Sequence, residues 1–298
     1  MQCPKCKFDH PDQTTECLKC GIVFEKFLRM QEAPEAPIPP PEVSFPEDDY
    51  TKAEARDEFR YRLFALPAAL IGARIIVANF PLVRLLTMWV HESGHALTAW
   101  LCGFWAMPGP WFTPVSDERT IGITLFVVGV IGLAGFLCWK TERWFTLGVL
   151  GAIFIFKIVG TLLPVNRAQV LIIFGGDGGL MVLGTILMAT FYARREGPIY
   201  QNGLRWGFIV IGAASLMDAY KTWTGPEEDL PFGVQEGTLS DPSQMVQNYG
   251  WTIQFMIHQY VLLATACFIV LAVFYVFGIV RARGELQKHR DAETQTVT

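Results

Sequence analysis

The sequence predicts an all-α fold: a polytopic transmembrane helical bundle of about six spans with a small N-terminal zinc-ribbon domain. Of the 298 residues, 51% are hydrophobic and only 17% are charged, whereas a soluble protein of this length is nearer one quarter charged. The mean hydropathy is +0.31. Long uncharged runs follow residue 80, while charged and proline residues crowd the first 60. These observations argue against an ordinary soluble enzyme and favour an integral membrane protein with a small soluble head.

The head is predicted over residues 1–30 from two Cys-x-x-Cys pairs, Cys3 with Cys6 and Cys17 with Cys20. Two such pairs are typical of a metal site rather than of a disulfide framework. Four thiolates suit a structural zinc ion, which supplies the core that so short a chain lacks. The N-terminus has no signal-peptide pattern of a basic region followed by an apolar one, so we expect the head to stay in the reducing cytoplasm.

A linker is predicted over residues 31–62. Its first part alternates prolines with acidic residues up to position 49, a composition that cannot bury a core. Residues 50–62 carry mixed charges and predict a helical approach to the membrane. The transmembrane domain is then predicted over 63–281 and a polar C-terminal tail over 282–298.

Six apolar stretches predict the membrane spans, at 82–103, 120–139, 144–163, 168–193, 203–220 and 251–280. The segment 63–80 contains Pro67 and Arg74, and we expect it to lie in the membrane interface without spanning. With this assignment the basic connections and both termini fall on the cytoplasmic side, as lysine and arginine in short loops favour. The expected location is the cytoplasmic membrane of a prokaryote.

A metal motif stands in the first predicted span, His91-Glu92-Ser93-Gly94-His95. On a helix the two histidines lie four residues apart on one face, where both imidazoles can reach one zinc ion. Glu92 is placed to take a proton from the metal's water. Ionisable groups within a membrane are costly, and they indicate a functional site by default. The alternative is a buried polar cluster that ties helices together.

Hydrolysis at zinc needs a third protein ligand that leaves a fourth position open for water. Asp177 is the predicted third ligand, because it is the only charged residue of the run 168–193 and is flanked by four glycines that permit close helix approach. Asp218 and His258 are competing ligands. The alternative for Asp177 is a glycine-rich packing seam with an aspartate facing a water cavity.

These two motifs resemble the site-2 protease family of intramembrane zinc metalloproteases over residues 82–193. The chain would be a divergent member, because the family's Asn-Pro-x-Pro-type stretch does not precede the aspartate here. The resemblance implies that His91, His95 and Asp177 bind a catalytic zinc ion and that Glu92 is the general base. It also implies that the substrate is a transmembrane protein.

Two other function classes stay open at this stage. One is an aspartyl intramembrane protease that uses Asp177 and Asp218 as a carboxylate pair. The other is a non-catalytic membrane sensor or scaffold with a structural metal site. The expected partners are a transmembrane protein substrate, membrane lipid and a cytosolic protein that binds the zinc ribbon. The net charge of −4 argues against nucleic acid as a partner.

Overall fold

A computed structural model describes residues 1–11, 14–31, 47–80, 82–195, 197–235 and 238–296. The chain divides into two compact units, Met1–Thr51 and Lys52–Thr298. Residues 32–46 of the linker predicted over 31–62 lie outside the described residues, and its last part, from residue 47, belongs to a helix.

The first unit is built on two similar short loops. Each loop carries one pair of cysteines and is closed by an antiparallel bridge, Gln2 with Asp9 and Glu16 with Val23. Helix α1 (Phe24–Gln31) follows. Its small core consists of Cys3, Cys17 and Phe24, so apolar burial alone is slight, as expected of a chain this short.

The second unit is mostly helical. Its helices are α2 (Glu47–Asn79), α3 (Val83–Cys102), α4 (Ile121–Lys140), α5 (Trp144–Leu162), α6 (Val165–Ala189), α7 (Pro198–Gln201), α8 (Leu204–Thr224), α9 (Asp241–Tyr249) and α10 (Ile253–Thr296). Two short antiparallel hairpins accompany them, β1 (Phe104–Ala106) with β2 (Val115–Arg119) and β3 (Val234–Gln235) with β4 (Thr238–Leu239).

Among the described residues, five helical segments are long and apolar enough to cross a membrane: Ala53–Asn79, Ile121–Lys140, Trp144–Leu162, Val165–Tyr192 and Ile253–Asp291. Four of them correspond to predicted spans. The predicted spans 82–103 and 203–220 form α3 and α8, which carry too many polar residues to be among these apolar segments. The segment 63–80, expected to be interfacial, instead belongs to the continuous helix α2, which runs through Pro67. None of the 20 residues of α4 is fully buried within the protein, as expected of a lipid-facing span.

Helix α3 lies against α6, and α6 in turn lies against α8. The contact between α3 and α6 is close because glycines face each other. A Cβ added to Gly179 would collide with the backbone of Gly94, and only glycine permits such an approach. The largest apolar cluster fills the space between α6, α8 and α10, around Met181, Leu216 and Tyr260.

Two cationic side chains hold the C-terminal end of α3. The Arg119 guanidinium donates to the Cys102 carbonyl at 3.1 Å, and the Lys157 ammonium donates to the Trp100 carbonyl at 3.2 Å. Lys157 is buried in α5. Positive charge at a helix C-terminus satisfies orphan carbonyls and complements the helix dipole, so both residues anchor the helix that carries the histidine pair.

Candidate metal centres

Three ligand-type atoms meet between α3 and the start of α9. The Nε2 atoms of His91 and His95 lie 3.1 Å apart. Oδ2 of Asp241 lies 3.1 Å from Nε2 of His91 and 3.0 Å from Nε2 of His95. These atoms form a nearly equilateral triangle, and this group could hold a metal ion.

The other nitrogen of each imidazole is held by an acceptor on α6. Nδ1 of His91 lies 3.1 Å from Oδ1 of Asp177, and Nδ1 of His95 lies 2.7 Å from the carbonyl oxygen of Ile172. An acceptor at Nδ1 favours the tautomer that keeps its proton there and leaves the Nε2 lone pair free. Both rings are therefore oriented with Nε2 toward the triangle.

Asp177 thus occupies a different place from the predicted one. It approaches His91 at Nδ1, on the far side of the ring from the triangle, and its second oxygen accepts a 2.8 Å hydrogen bond from the indole N–H of Trp223 on α8. The physical reason is the short side chain: from its place on α6, the Asp177 carboxylate reaches the outer edge of the His91 ring. The position next to both Nε2 atoms is taken by Asp241.

Sequence reasoning did not single out Asp241. In the sequence it is one of several carboxylates in the acidic connection between residues 221 and 250, which separates the last two predicted spans. Burial disfavours its charge, but the neighbouring His95 and His91 rings hold the pKa of the Asp241 carboxyl below its usual range. The only local signal is that of a helix start, with Ser240 before Asp241 and Pro242 directly after Asp241, and many surface helices begin this way.

Gly176 explains how α6 fits beneath the histidines. A Cβ at this position would lie 2.5 Å from Cε1 of His91 and 2.5 Å from Nε2 of His95. Real Cβ atoms do not come so close, so any side chain would displace the two rings. The glycine-rich run therefore serves to bring the backbone of α6 up to the imidazoles.

Glu92 lines the same cavity as the triangle. This cavity has a volume of about 1000 Å³ and is walled by α3, α6, α8, the start of α9 and the segment between β1 and β2. Glu92 is 4% exposed. Its backbone carbonyl accepts a 3.0 Å hydrogen bond from Thr113, while its carboxylate has no hydrogen-bond partner in the part of the chain that the structure describes.

The competing ligands lie away from the triangle. Oδ2 of Asp218 accepts a 2.7 Å hydrogen bond from the Thr87 hydroxyl, and Arg84 lies 3.9 Å from its other oxygen. Asp218 lines the cavity but is not one of the three clustered groups. His258, on α10, does not line it.

The four head cysteines form the second group that could hold a metal ion. Sγ of Cys3 lies 3.8 Å from Sγ of Cys20, and Sγ of Cys6 lies 3.5 Å from Sγ of Cys17. None of the four forms a disulfide. The four predicted cysteines therefore lie close together as free thiols.

Polar groups around Cys17 favour its thiolate. Burial opposes the charge, but the backbone N–H groups of Cys20 and Lys19 lower the pKa of Cys17 to about 5. Nε2 of His10 lies 3.1 Å from the same sulfur. The hydrogen bond with Cys17 in turn raises the pKa of Cys20 to about 12. A thiolate is the form that binds metal, so Cys17 is the sulfur of this pair that is prepared for a cation.

Comparison of the chain with known protein families, with curated proteins and with solved structures gives no match.

Proposed function

We propose that this protein is an intramembrane zinc metalloprotease related to the site-2 proteases, which hydrolyses peptide bonds of transmembrane protein substrates. The proposal rests on one observation above all: His91, His95 and Asp241 offer three ligand atoms 3.0–3.1 Å apart. Glu92 lines the same cavity. A purely structural metal site has no need of a carboxylate in its cavity that has no hydrogen-bond partner among the described residues.

The triangle fits zinc. Tetrahedral zinc lies about 2.0–2.1 Å from nitrogen and carboxylate oxygen, which sets its ligand atoms roughly 3.3 Å apart. The observed separations are within a few tenths of an ångström of that value. Two histidines and one carboxylate leave the fourth position open, as hydrolytic zinc sites require. In this assignment Asp241 is the third ligand, and Asp177 positions His91 from behind as a carboxylate–histidine pair.

Glu92 is the proposed general base. A zinc ion bound at the triangle supplies Lewis-acid polarisation of the scissile carbonyl and lowers the pKa of the attacking water. As the water oxygen adds to the carbonyl carbon, Glu92 accepts the proton that the water loses. Glu92 then returns this proton to the amide nitrogen as the carbon–nitrogen bond breaks, so the amine leaves neutral.

The segment between β1 and β2 supports substrate binding next to Glu92. Trp111, Phe112 and Thr113 line the cavity, and Thr113 is tied to the backbone of Glu92. A transmembrane helix hides its carbonyls in hydrogen bonds, so a substrate has to unwind locally before it is cut. An aromatic wall gives the unwound strand apolar contacts beside the proposed base.

The head is proposed to hold a structural zinc ion. Zinc–sulfur bonds of about 2.3 Å in a tetrahedron place sulfur atoms roughly 3.8 Å apart. The two measured separations, 3.8 Å and 3.5 Å, agree with this requirement. The proposed role of the folded head is to bind a cytosolic protein.

The aspartyl alternative is less well supported. Asp177 is bound to His91 and Trp223, and Asp218 is bound to Thr87. Each carboxylate thus has its own partners, and no hydrogen bond joins the two among the described residues. Aspartyl catalysis needs two carboxyl groups that share one proton.

The deciding experiment joins metal content with cleavage. Full-length protein is purified in detergent, and its zinc is counted for wild type, Glu92→Gln and His91→Ala. We expect two ions per chain in the first two proteins and one in the third. A single-span helix with a central Gly-Pro pair, flanked by two fluorescent proteins, serves as the substrate probe in liposomes.

We expect cleavage by the wild type and a loss of about 10²- to 10⁴-fold in Glu92→Gln, because the general base is gone while the metal stays. Glu118→Gln is the matched control, since Glu118 is an exposed carboxylate on β2 outside the cavity. Wild-type protein with a single zinc ion, retained in His91→Ala, would contradict the proposal. Cleavage by Glu92→Gln at the wild-type rate would contradict the assigned mechanism.

A further inference from the structure

A buried charged cluster joins α2, α7 and α8, away from the metal cavity. Glu58 accepts hydrogen bonds from Nε of Arg62 at 2.6 Å, from Nη1 of Arg205 at 2.9 Å and from the Tyr200 hydroxyl at 2.9 Å. Glu58 and Arg62 are 2% and 1% exposed. The guanidinium of Arg205 also lies 3.9 Å from the Tyr200 ring centroid. One carboxylate thus serves two guanidinium groups.

A second set of charges continues from this cluster. Nη2 of Arg62 donates to the carbonyl oxygen of Ala193 at 3.2 Å, two residues before Arg195. Nη2 of Arg195 lies 3.6 Å from Oε2 of Glu285, and Nε of Arg281 lies 3.1 Å from the other oxygen of that carboxylate. The connection after α6 therefore links the α2 pair to the basic start of the α10 tail.

Three guanidinium nitrogens in this region are buried without a hydrogen-bond acceptor. They are Nη1 of Arg62 and both Nε and Nη2 of Arg195. In the part of the chain that the structure describes, the only other such atom is Nδ1 of His10 in the head. A buried donor without an acceptor is costly, and buried polar groups almost always have a partner. No described residue supplies the missing acceptor, so a ligand that brings one would fit these donors.

The charge of the region shows what kind of acceptor fits. Four guanidinium groups, those of Arg62, Arg195, Arg205 and Arg281, face two carboxylates, those of Glu58 and Glu285. Two positive charges are therefore left without a counter-ion in the cluster. Guanidinium groups bind phosphate oxygens with paired, charge-assisted hydrogen bonds.

The charged cluster lies where the apolar segments of two helices, α6 and α10, end. The apolar segment that contains α6 ends at Tyr192, three residues before Arg195. In α10, Arg281 is the first arginine or lysine after a long run without acidic or basic residues other than His258. Such an end of a membrane helix lies at the depth of lipid headgroups, where basic side chains meet anionic phosphates.

We propose that Arg62 and Arg195 form a binding site for a phosphate group, supplied by the headgroup of an anionic phospholipid. The site takes its charge selectivity from the net positive charge of the cluster, in which four guanidinium groups face two carboxylates. It takes its geometry from Glu58 and Ala193, which hold the Arg62 side chain in place. A zwitterionic phospholipid cancels its phosphate charge with its own cation and is therefore bound less well.

Native mass spectrometry of the full chain tests this site. The protein is released from detergent micelles that contain equal amounts of phosphatidylglycerol and phosphatidylcholine, and retained lipids are counted. Arg195→Gln is the test variant, because this side chain is partly exposed and lies outside the Glu58 hydrogen bonds. Arg194→Gln is the matched control, since Arg194 is its exposed neighbour.

We expect one phosphatidylglycerol retained on the wild type and on Arg194→Gln, and binding about tenfold weaker on Arg195→Gln, as the loss of charge-assisted hydrogen bonds implies. Equal retention of both lipids by the wild type, or no difference between the two variants, would overturn the proposal. Protection against thermal unfolding is measured in parallel with inorganic phosphate. Protection by inorganic phosphate that Arg195→Gln abolishes, without lipid retention, would support the phosphate site and overturn its assignment to a lipid.

Arg62→Lys supplies an independent check. It keeps the charge and removes the guanidinium donors, Nη1 as well as the Nε and Nη2 atoms that bind Glu58 and Ala193. We expect a lower melting temperature in lipid-free detergent, because those two hydrogen bonds are lost, and weaker phosphatidylglycerol binding when binding is measured below that temperature. Unchanged lipid binding in Arg62→Lys would show that the buried donors do not face the phosphate, and would overturn the proposal.

Discussion

Replacing Gly176 with alanine is the most selective way to perturb the proposed membrane metal site. The substitution adds one methyl group to α6 and changes no ligand, no charge and no hydrogen-bonding group. The three atoms nearest to the new Cβ all belong to the imidazoles of His91 and His95. Alanine also has a higher helix propensity than glycine, by about 1 kcal/mol, so the backbone itself favours the variant.

The expected size of the effect follows from three separations. The added Cβ would lie 2.5 Å from Cε1 of His91, 2.5 Å from Nε2 of His95 and 2.6 Å from Nε2 of His91. Ordinary contact between such atoms begins at about 3.5 Å, so each ring has to move by about 1 Å. Metal sites tolerate deviations of about 0.2 Å in their ligand distances. The two imidazoles therefore lose their common ion.

Zinc counting and thermal unfolding of the full chain measure this outcome. We expect the zinc content to fall from two ions per chain to one in Gly176→Ala, with cleavage lost and the helical circular dichroism signal unchanged. Gly129→Ala on α4 is the matched control, because nothing lies within 4 Å of a Cβ added there. Two tightly bound zinc ions in Gly176→Ala would refute the placement of the ion above this glycine.

Three further outcomes are expected. Asp241→Ala loses the membrane-site zinc, because it removes a ligand. Asp177→Asn keeps the zinc, with about 10- to 100-fold lower affinity measured by chelator competition. Equal zinc affinities of the two variants would contradict this division of roles. Gly179→Ala forces a Cβ against the α3 backbone and destabilises the fold by about 1–3 kcal/mol, seen as a lower melting temperature than that of Gly129→Ala. Cys17→Ser loses only the head zinc and makes residues 1–31 sensitive to protease, because metal binding and folding are coupled there; a protease-resistant head would argue against a structural metal.

The histidine pair could be found from the sequence because its geometry is local. A spacing of four residues on a helix places His91 and His95 on one face whatever the rest of the chain does. The head cysteines are similar, since each Cys-x-x-Cys pair lies within a single tight loop. In both cases the residues that meet are near each other in sequence, and the spacing alone determines their approach.

Asp241 could not be found in this way. It lies 150 residues after His91, on a short helix that no periodic pattern marks. Its approach depends on how the connection after α8 folds back over the cavity. Asp177 was the better candidate on sequence grounds, since a lone charge in an apolar run indicates a functional site. That inference identified a residue in contact with His91 but could not determine which ring nitrogen it meets.

The membrane spans show another limit of reasoning from sequence patterns. Pro67 and Arg74 led to an interfacial assignment for 63–80, yet α2 continues through both and contributes Leu66 and Ala73 to the apolar cluster around α6. Neighbouring helices can satisfy the backbone groups that an internal proline frees. Helices α3 and α8 are too polar to be recognised as apolar spans. Their polar residues face one another and the cavity, where they need no contact with lipid.

The division of the ligands between two kinds of element has a physical consequence. His91 and His95 are held from below by α6, through Asp177, Ile172 and the close glycine contact, so they keep their orientation without an ion. Asp241 begins a nine-residue helix in the connection after α8, which is held to the bundle by Met245 in the apolar cluster and by the 3.1 Å hydrogen bond between the Tyr249 hydroxyl and Gln169. An ion at the triangle would therefore join a histidine pair held by α6 to a carboxylate from a separate segment, so its binding would also stabilise the fold of that connection.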